Sequence, residues 1–222
     1  MIDTEIHRLN AFLETMAPTH DAVQADMAER AAAEGFPIIG RAAGCVLRQF
    51  AVTTDAERVF EFGSGFGYSA TWFAPVLPAH GQLVLTEEDP DELALAEDYL
   101  ERAGYDHIVA YEVGDALETI ERYDGPFDTV LIDAAKEQYV DCFESVRNKV
   151  ATGGVVIADN ALTAGEMDTQ GIIDAVIDDD PDPSLDDMAA GISDYLCHVR
   201  DVDGFITSVL PVGSGLAVSV KV

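Results

Sequence analysis

Between Arg58 and Ala158 the chain alternates between two rhythms. Short runs rich in β-branched and aromatic residues fall at 58–62 (RVFEF), 82–86 (QLVLT), 107–111 (HIVAY), 127–132 (FDTVLI) and 154–158 (GVVIA). Longer stretches of helical character separate them, at 67–76, 90–103, 115–122 and 136–149. Few folds accommodate that order. Parallel strands need a crossover between them, the crossover is usually a helix, and its hand is right. The expected class is α/β, a mostly parallel sheet with helices on both faces. The chain ends in GFITSVLPV and GLAVSVKV, separated by Gly213 and Ser214, which read as an antiparallel hairpin closing one sheet edge and bringing the strands to seven. Residues 1–52 read as helices packing onto the sheet and over its ligand. After Asn160 the sequence reads as one helical segment followed by an acid- and proline-rich stretch. No internal repeat or second core is indicated, so residues 1–222 are expected to form a single domain.

The first of these strands runs into VFEFGSGFGYSA, where Gly63, Gly65 and Gly67 alternate. In a parallel sheet a strand, a glycine-rich turn and a helix make a place for a ligand beyond the carboxyl ends of the strands. A dinucleotide fingerprint is G-x-G-x-x-G, whereas here Tyr68 stands where the third glycine falls, which weakens a pyrophosphate reading. The next strand ends in LTEEDP, so Glu87 or Glu88 could accept hydrogen bonds from both hydroxyls of a ribose. That device serves nicotinamide dinucleotides and other nucleosides alike.

A second constellation lies at the ends of the last two parallel strands. Asp133 follows one, and Asp159 and Asn160 follow the other. Neighbouring strands lie ~4.8 Å apart, so these side chains can converge. Two carboxylates and an amide oxygen suit a hard cation such as magnesium or calcium, and no His or Cys lies near in sequence to suggest zinc. Acids also reach strand ends by chance in a chain this acidic, and an Asp-Asn pair often caps or turns. Lys136, three residues after Asp133, falls on the first turn of the following helix and can face the same pocket as a general base if the site lowers its pKa.

These segments resemble the class I S-adenosylmethionine-dependent methyltransferases, a Rossmann-like fold. More narrowly, they resemble the cation-dependent O-methyltransferases of the catechol and caffeoyl-coenzyme A type. VFEFGSGFGYSA, GQLVLTEEDP, GDALETI, GPFDTVLIDAAKEQY and GGVVIADNAL are similar to five family motifs in order, and VLPVGSGLAVSVK resembles the terminal hairpin. The likeness runs from about Gly35 to Val222, apart from a divergent insert at 161–200 that in this family borders the acceptor. It implies S-adenosylmethionine as cofactor. Glu61, Gly63, Gly65, Tyr68 and Ser69 would line its methionine end, Glu87 would hold the ribose, and Asp115 and Ala116 would flank the adenine. Asp133 would serve both the cofactor and the metal, with Asp159 and Asn160 completing the metal triad and Lys136 as catalytic base. A homodimer is implied too. The chain departs from the common pattern at Ala135, where many members carry a second aspartate, and in the acidic run 178–187 (DDDPDPSLDD). The expected activity is methylation of a small, aromatic vicinal diol. A nicotinamide-dependent oxidoreductase and a non-catalytic cofactor-binding protein are the alternatives.

Charge bounds the partners and the surroundings. Twelve Lys and Arg stand against 42 Asp and Glu, a net charge of −30. Such a field repels nucleic acid and anionic membranes, while a 48% hydrophobic composition excludes wholesale disorder. The start, MIDTEIHRLNAFLE, has neither the basic nor the apolar region of a secretory signal, and no apolar run is long enough to span a bilayer, so a cytoplasmic protein is expected. Cys45, Cys142 and Cys197 are scattered and signal neither zinc nor disulfides. A folded core inside so acidic a shell, with lysine only at 136, 149 and 221, fits a halophilic protein whose self-repulsion is screened. The Debye length falls from about 10 Å at about 0.1 M salt to about 3 Å at about 1 M. The melting temperature is therefore expected to rise by many degrees between those concentrations of sodium chloride. A flat or falling series of thermal melts would refute the high-salt reading.

Overall fold

The computed structural model describes residues 2–163, 168–180 and 182–222. Five parallel strands form as the sequence pattern requires: β1 (Arg58–Phe62), β2 (Gln82–Glu87), β3 (Val109–Val113), β4 (Phe127–Ile132) and β5 (Val150–Ala158). The hairpin strands β6 (Phe205–Leu210) and β7 (Leu216–Lys221) pair antiparallel, and β7 also pairs antiparallel with β5. The seven-stranded order is β3-β2-β1-β4-β5-β7-β6. From β1 the chain steps outward to β2 and β3, then returns to the other flank of β1 for β4. The direction of winding reverses there, and a crevice opens beyond the carboxyl ends of β1 and β4.

Side chains alternate across the sheet. Val59, Leu83, Leu85, Leu131, Ile157 and Val218 face one cluster, covered by α2 (Ala22–Glu34), α3 (Gly40–Thr53), α4 (Ala70–Phe73) and α5 (Pro90–Ala103). Phe60, Phe62, Val84, Val130, Ile132, Val156 and Ala217 face the other, covered by α6 (Ala116–Ile120), α7 (Tyr139–Val146), α8 (Thr169–Asp178) and α9 (Asp187–Arg200). A further helix, α1 (Ile2–Met16), leads the chain. It is tied to the start of α3, where the Glu14 carboxylate accepts from Ala42 N–H (2.9 Å) and Arg41 bonds the Glu14 carbonyl (2.7 Å). In α2, Asp21 and Gln24 form a reciprocal cap at the start. Among the described residues no helix is long and apolar enough to cross a membrane.

Several boundaries differ from the sequence expectation. The strand expected at 107–111 starts two residues later, because its register with β2 begins at Leu83 and Val109, and residues 106–108 form a 3₁₀ turn. The helix expected at 67–76 is only one α turn, because the glycine-rich turn extends through Ser69 and Pro75 tightens residues 74–76 into 3₁₀. The single helical segment expected after Asn160 is two: α9 was hidden by Gly191 and the preceding aspartates and prolines. It has a sound cap, with Asp186 accepting from Ala189 N–H (2.8 Å), and an apolar stripe at Ala189, Ile192, Leu196 and Val199.

Two of the three lysines are structural. Lys149 Nζ donates to the Ile120 carbonyl (2.7 Å), and Lys221 Nζ donates to the carbonyls of Arg147 and Val150 (both 2.9 Å).

Trp72 is the largest fully buried side chain, at 1% exposure, with the Arg48 guanidinium 4.9 Å from its ring. α3 reaches it through Gly44, where an added Cβ would collide with the indole. Gly44→Ala gains up to about 1 kcal/mol of helix propensity but overpacks this contact at a cost of about 1–3 kcal/mol. A fall in melting temperature of about 2–4 °C per net kcal/mol is expected by calorimetry.

Candidate active site

A cavity of about 600 Å³ lies at the reversal point. It is lined by the turn after β1, the ends of β2, β4 and β5, and the segment Gly35–Ile39 between α2 and α3. Two glycines make this geometry possible. Gly63 has φ +80°, and a Cβ there would stand 2.5 Å from the Asp133 carbonyl oxygen, so only glycine lets β1 end this close to β4. Gly65 has φ +50°, and a Cβ there would meet the Phe36 ring at 2.9 Å. Backbone bonds staple the strand ends together: Ser64 N–H to Thr86 O (2.9 Å), Asp133 N–H to Phe62 O (2.8 Å) and Asp159 N–H to Ile132 O (3.0 Å).

Gly63, Gly65, Tyr68, Ser69, Glu87, Asp133, Lys136, Asp159 and Asn160 all line this one cavity. The Glu87 carboxylate is fixed by the N–H groups of Gly65 (2.9 Å) and Asp89 (3.0 Å), whereas Glu88 is exposed and outside the lining. Tyr68 is buried and its hydroxyl meets His20 Nε2 at 2.7 Å. Glu61 stands behind the wall, bonded to the Ser69 hydroxyl, with Oε2 buried and unpartnered. Burial pushes its carboxyl up to about 8, against the lowering effect of Ser69. Asp115 and Ala116 do not line the cavity. Asp115 caps α6 by accepting from Leu117 N–H (2.7 Å), one residue beyond Gly114, whose N–H bonds the Glu87 carbonyl (2.9 Å).

The acidic end is built from adjacent strands. Asp159 is 3% exposed, and its Oδ1 is buried without a partner. Burial first, then the Asp133 charge, pushes its carboxyl up to about 8. Asp133 shows a third of its side chain to the cavity (34%), yet its carboxyl is also raised, by burial against the opposing pull of Lys136. Asn160 adopts φ +57°, a conformation asparagine tolerates, and spends its NH₂ on the Thr163 carbonyl (3.2 Å). Its amide oxygen is then the end left for a cation. Among the described residues no group of three or more His, Cys, Asp or Glu is placed to hold a metal ion. Asp133, Asp159 and Asn160 comprise two carboxylates and an amide. The unpartnered oxygen and the crowded carboxyl pair fit a hard, oxygen-seeking cation.

Lys136 Nζ contacts Asp133 Oδ1 (2.9 Å), the Ala134 carbonyl (3.2 Å) and the Tyr139 hydroxyl (2.8 Å). The sequence reading missed Tyr139. Its only signal was its place three residues after Lys136, where side chains share a helical face. It is fully buried, and burial raises its phenol well above the usual value. The N-terminal segment Phe36–Ile39, Thr163, Ser214 and Met188 were not singled out either, since each joins the wall only through folding.

The O-methyltransferase family model matches residues 23–221. The catechol O-methyltransferase of Mycobacterium tuberculosis is 35% identical over 161 residues, covering 71% of this chain and 73% of the relative. That of Niastella koreensis is 33% identical over 128 residues, covering 56% of this chain and only 58% of the relative's length. Among solved structures, a cofactor-bound protein from MTB matches with TM-score 0.80 at 27% identity, over 96% of this chain and 95% of that one. The O-methyltransferase from Bacillus cereus in complex with SAH matches with TM-score 0.81 at 24% identity, over 97% of both chains, a likeness of fold.

Asp159→Asn removes one member of the crowded carboxyl pair. Its melting temperature in chelator is expected to equal or exceed the parent's. Magnesium or calcium at a hundredfold excess over Kd would stabilise the parent by about 2.7 kcal/mol, and that shift should vanish in the variant. An equal shift in both proteins would refute the cation site.

Proposed function

Because the chain belongs to the O-methyltransferase family, we propose that it transfers a methyl group from S-adenosylmethionine to one hydroxyl of a small aromatic vicinal diol, with the help of a divalent cation. The observation that carries this reading is the shared cavity. The glycine turn, Glu87, Lys136 and the Asp133–Asp159–Asn160 set face one space at the carboxyl ends of the strands. The curated relatives named catechol O-methyltransferase support the diol.

The Gly63–Ser69 turn lets the backbone approach the methionine portion, and Glu61, whose Oε2 is buried and unpartnered behind that turn, receives a donor from that side. Glu87, already held by two backbone N–H groups, presents its carboxylate to the ribose. Asp115 and Ala116, on the turn beside Glu87, flank the adenine. S-adenosylmethionine, when bound, supplies an electrophilic methyl on a sulfonium. A magnesium or calcium ion held by Asp133, Asp159 and Asn160 supplies Lewis acidity that favours an ionised hydroxyl. Lys136 takes the hydroxyl proton on Nζ. Tyr139, whose hydroxyl both donates and accepts, keeps that amine beside Asp133 in either protonation state. Phe36, Ile38, Ile39 and Met188 give the cavity an apolar wall that would hold an aromatic ring oriented beside the methyl donor. Such orientation lowers a barrier by roughly 7–11 kcal/mol. Residues 1–222 act as one catalytic domain, with 161–200 bordering the acceptor, as a cytoplasmic homodimer.

Asp159→Ala should abolish cation-dependent methylation of catechol while calorimetry still detects S-adenosylmethionine binding. Methylation equal to the parent's, persisting in chelator, would refute the cation's role. Lys136→Ala should cut turnover by about 10²–10⁴-fold, the usual worth of a general base, with the cation-induced melting shift retained.

A further inference from the structure

If the cavity holds a methyl donor and a vicinal diol, as proposed above, the charges around it select the kind of diol. Lys136 is the only lysine or arginine lining the cavity among the described residues, and its Nζ is bonded to Asp133 at 2.9 Å. Next in sequence after Thr163, residues 164–167 read Ala-Gly-Glu-Met and contain no lysine or arginine. Arginines of the flanking helix are committed elsewhere. Arg41, two residues beyond Ile39, is bound to the Glu14 carboxylate (3.3 Å) and carbonyl (2.7 Å), and Arg48 donates to the Trp72 carbonyl (3.2 Å). His20, behind Tyr68, does not supply a charge at neutral pH, because burial and Arg41 both lower its pKa. Among the described residues three carboxylates face the cavity, Glu87, Asp133 and Asp159; the last two would be matched by the cation proposed above, so Glu87 and the acidic surface carry the unmatched charge.

The wall that would meet the acceptor's substituent is apolar and bordered by acid. Met188, 42% exposed, lines the cavity from the first turn of α9. It follows Asp186 and Asp187 at the end of the acidic run 178–187. A carboxylate or phosphate brought here would find no basic partner and would meet like charge inside a net field of −30.

We propose that the acceptor is an aromatic vicinal diol whose remaining substituents are neutral or cationic, that diols bearing a carboxylate or a phosphate-rich carrier are rejected, and that Met188 is a residue at which this selectivity is set. Rejection by an unfavourable field is specificity against the wrong partner, and it needs no added contact to the right one.

The test uses the full chain and catechols alike except for a hydroxymethyl, an aminomethyl or a carboxymethyl group para to one hydroxyl, together with a caffeoyl-coenzyme A thioester. Initial rates are measured at the lowest sodium chloride concentration that keeps the protein folded, and again at molar salt. The neutral and amine catechols are expected to exceed the carboxymethyl catechol in kcat/KM by about tenfold or more at the lower salt, with the gap narrowing as charge is screened. Met188→Lys is expected to raise the carboxymethyl-to-hydroxymethyl ratio several-fold, and Met188→Leu to leave that ratio where it was. Equal or better use of the carboxymethyl catechol or the thioester by the parent overturns the proposal. An unchanged ratio in a folded Met188→Lys overturns the role of Met188. Methylation of none of the four, with S-adenosylmethionine shown to bind by calorimetry, overturns instead the diol reading on which the proposal rests.

Discussion

The closeness of β1 and β4 at their carboxyl ends governs the rest of the site. Gly63 lies against the Asp133 carbonyl, so the turn that approaches a cofactor and the loop that carries the acidic residues are in contact. Any side chain at 63 would push them apart. The neighbouring staples, Ser64 to Thr86 and Asp159 to Ile132, extend the same tie to β2 and β5. Four loops thereby share one reference frame, and their relative positions are set by the sheet rather than by the loops' own preferences. That is how a mobile type of structure comes to hold reacting groups with little freedom.

Much of this was legible in the sequence because it depends on local chemistry. The alternation of strand and helix runs, the glycines at 63 and 65, and the acids at the ends of β4 and β5 all declare themselves in short stretches. Glu87 and Glu88 could not be told apart by spacing alone. Folding separates them, one bonded to the Gly65 N–H and the other exposed. Tyr139 escaped notice because its role depends on the rotation of a helix, and α9 because tertiary burial of Ala189, Ile192 and Leu196 outweighs a glycine in its middle. The segment Phe36–Ile39 carries no motif and reaches the cavity across a long sequence separation. Such contacts are fixed by packing and leave little trace in composition.

The two levels of electrostatics in the molecule serve different ends. Over the surface, 42 carboxylates give a diffuse field that salt can screen. At the cavity, burial raises the carboxyls of both Asp133 and Asp159, and the Asp133 charge adds to the rise at Asp159. Salt in bulk solvent reaches that pair weakly. Screening therefore acts on the surface field more than on the carboxyls at the cavity.

The three lysines carry one more consequence. Lys136 holds Asp133 and Tyr139 from within the cavity, and Lys149 and Lys221 are each anchored on backbone carbonyls. No lysine side chain is left to wave freely in solvent. Reagents and enzymes that mark proteins by acylating or conjugating lysine amines therefore find almost nothing to grip. A chain whose few lysines are all engaged in its scaffolding is, to such chemistry, nearly blank.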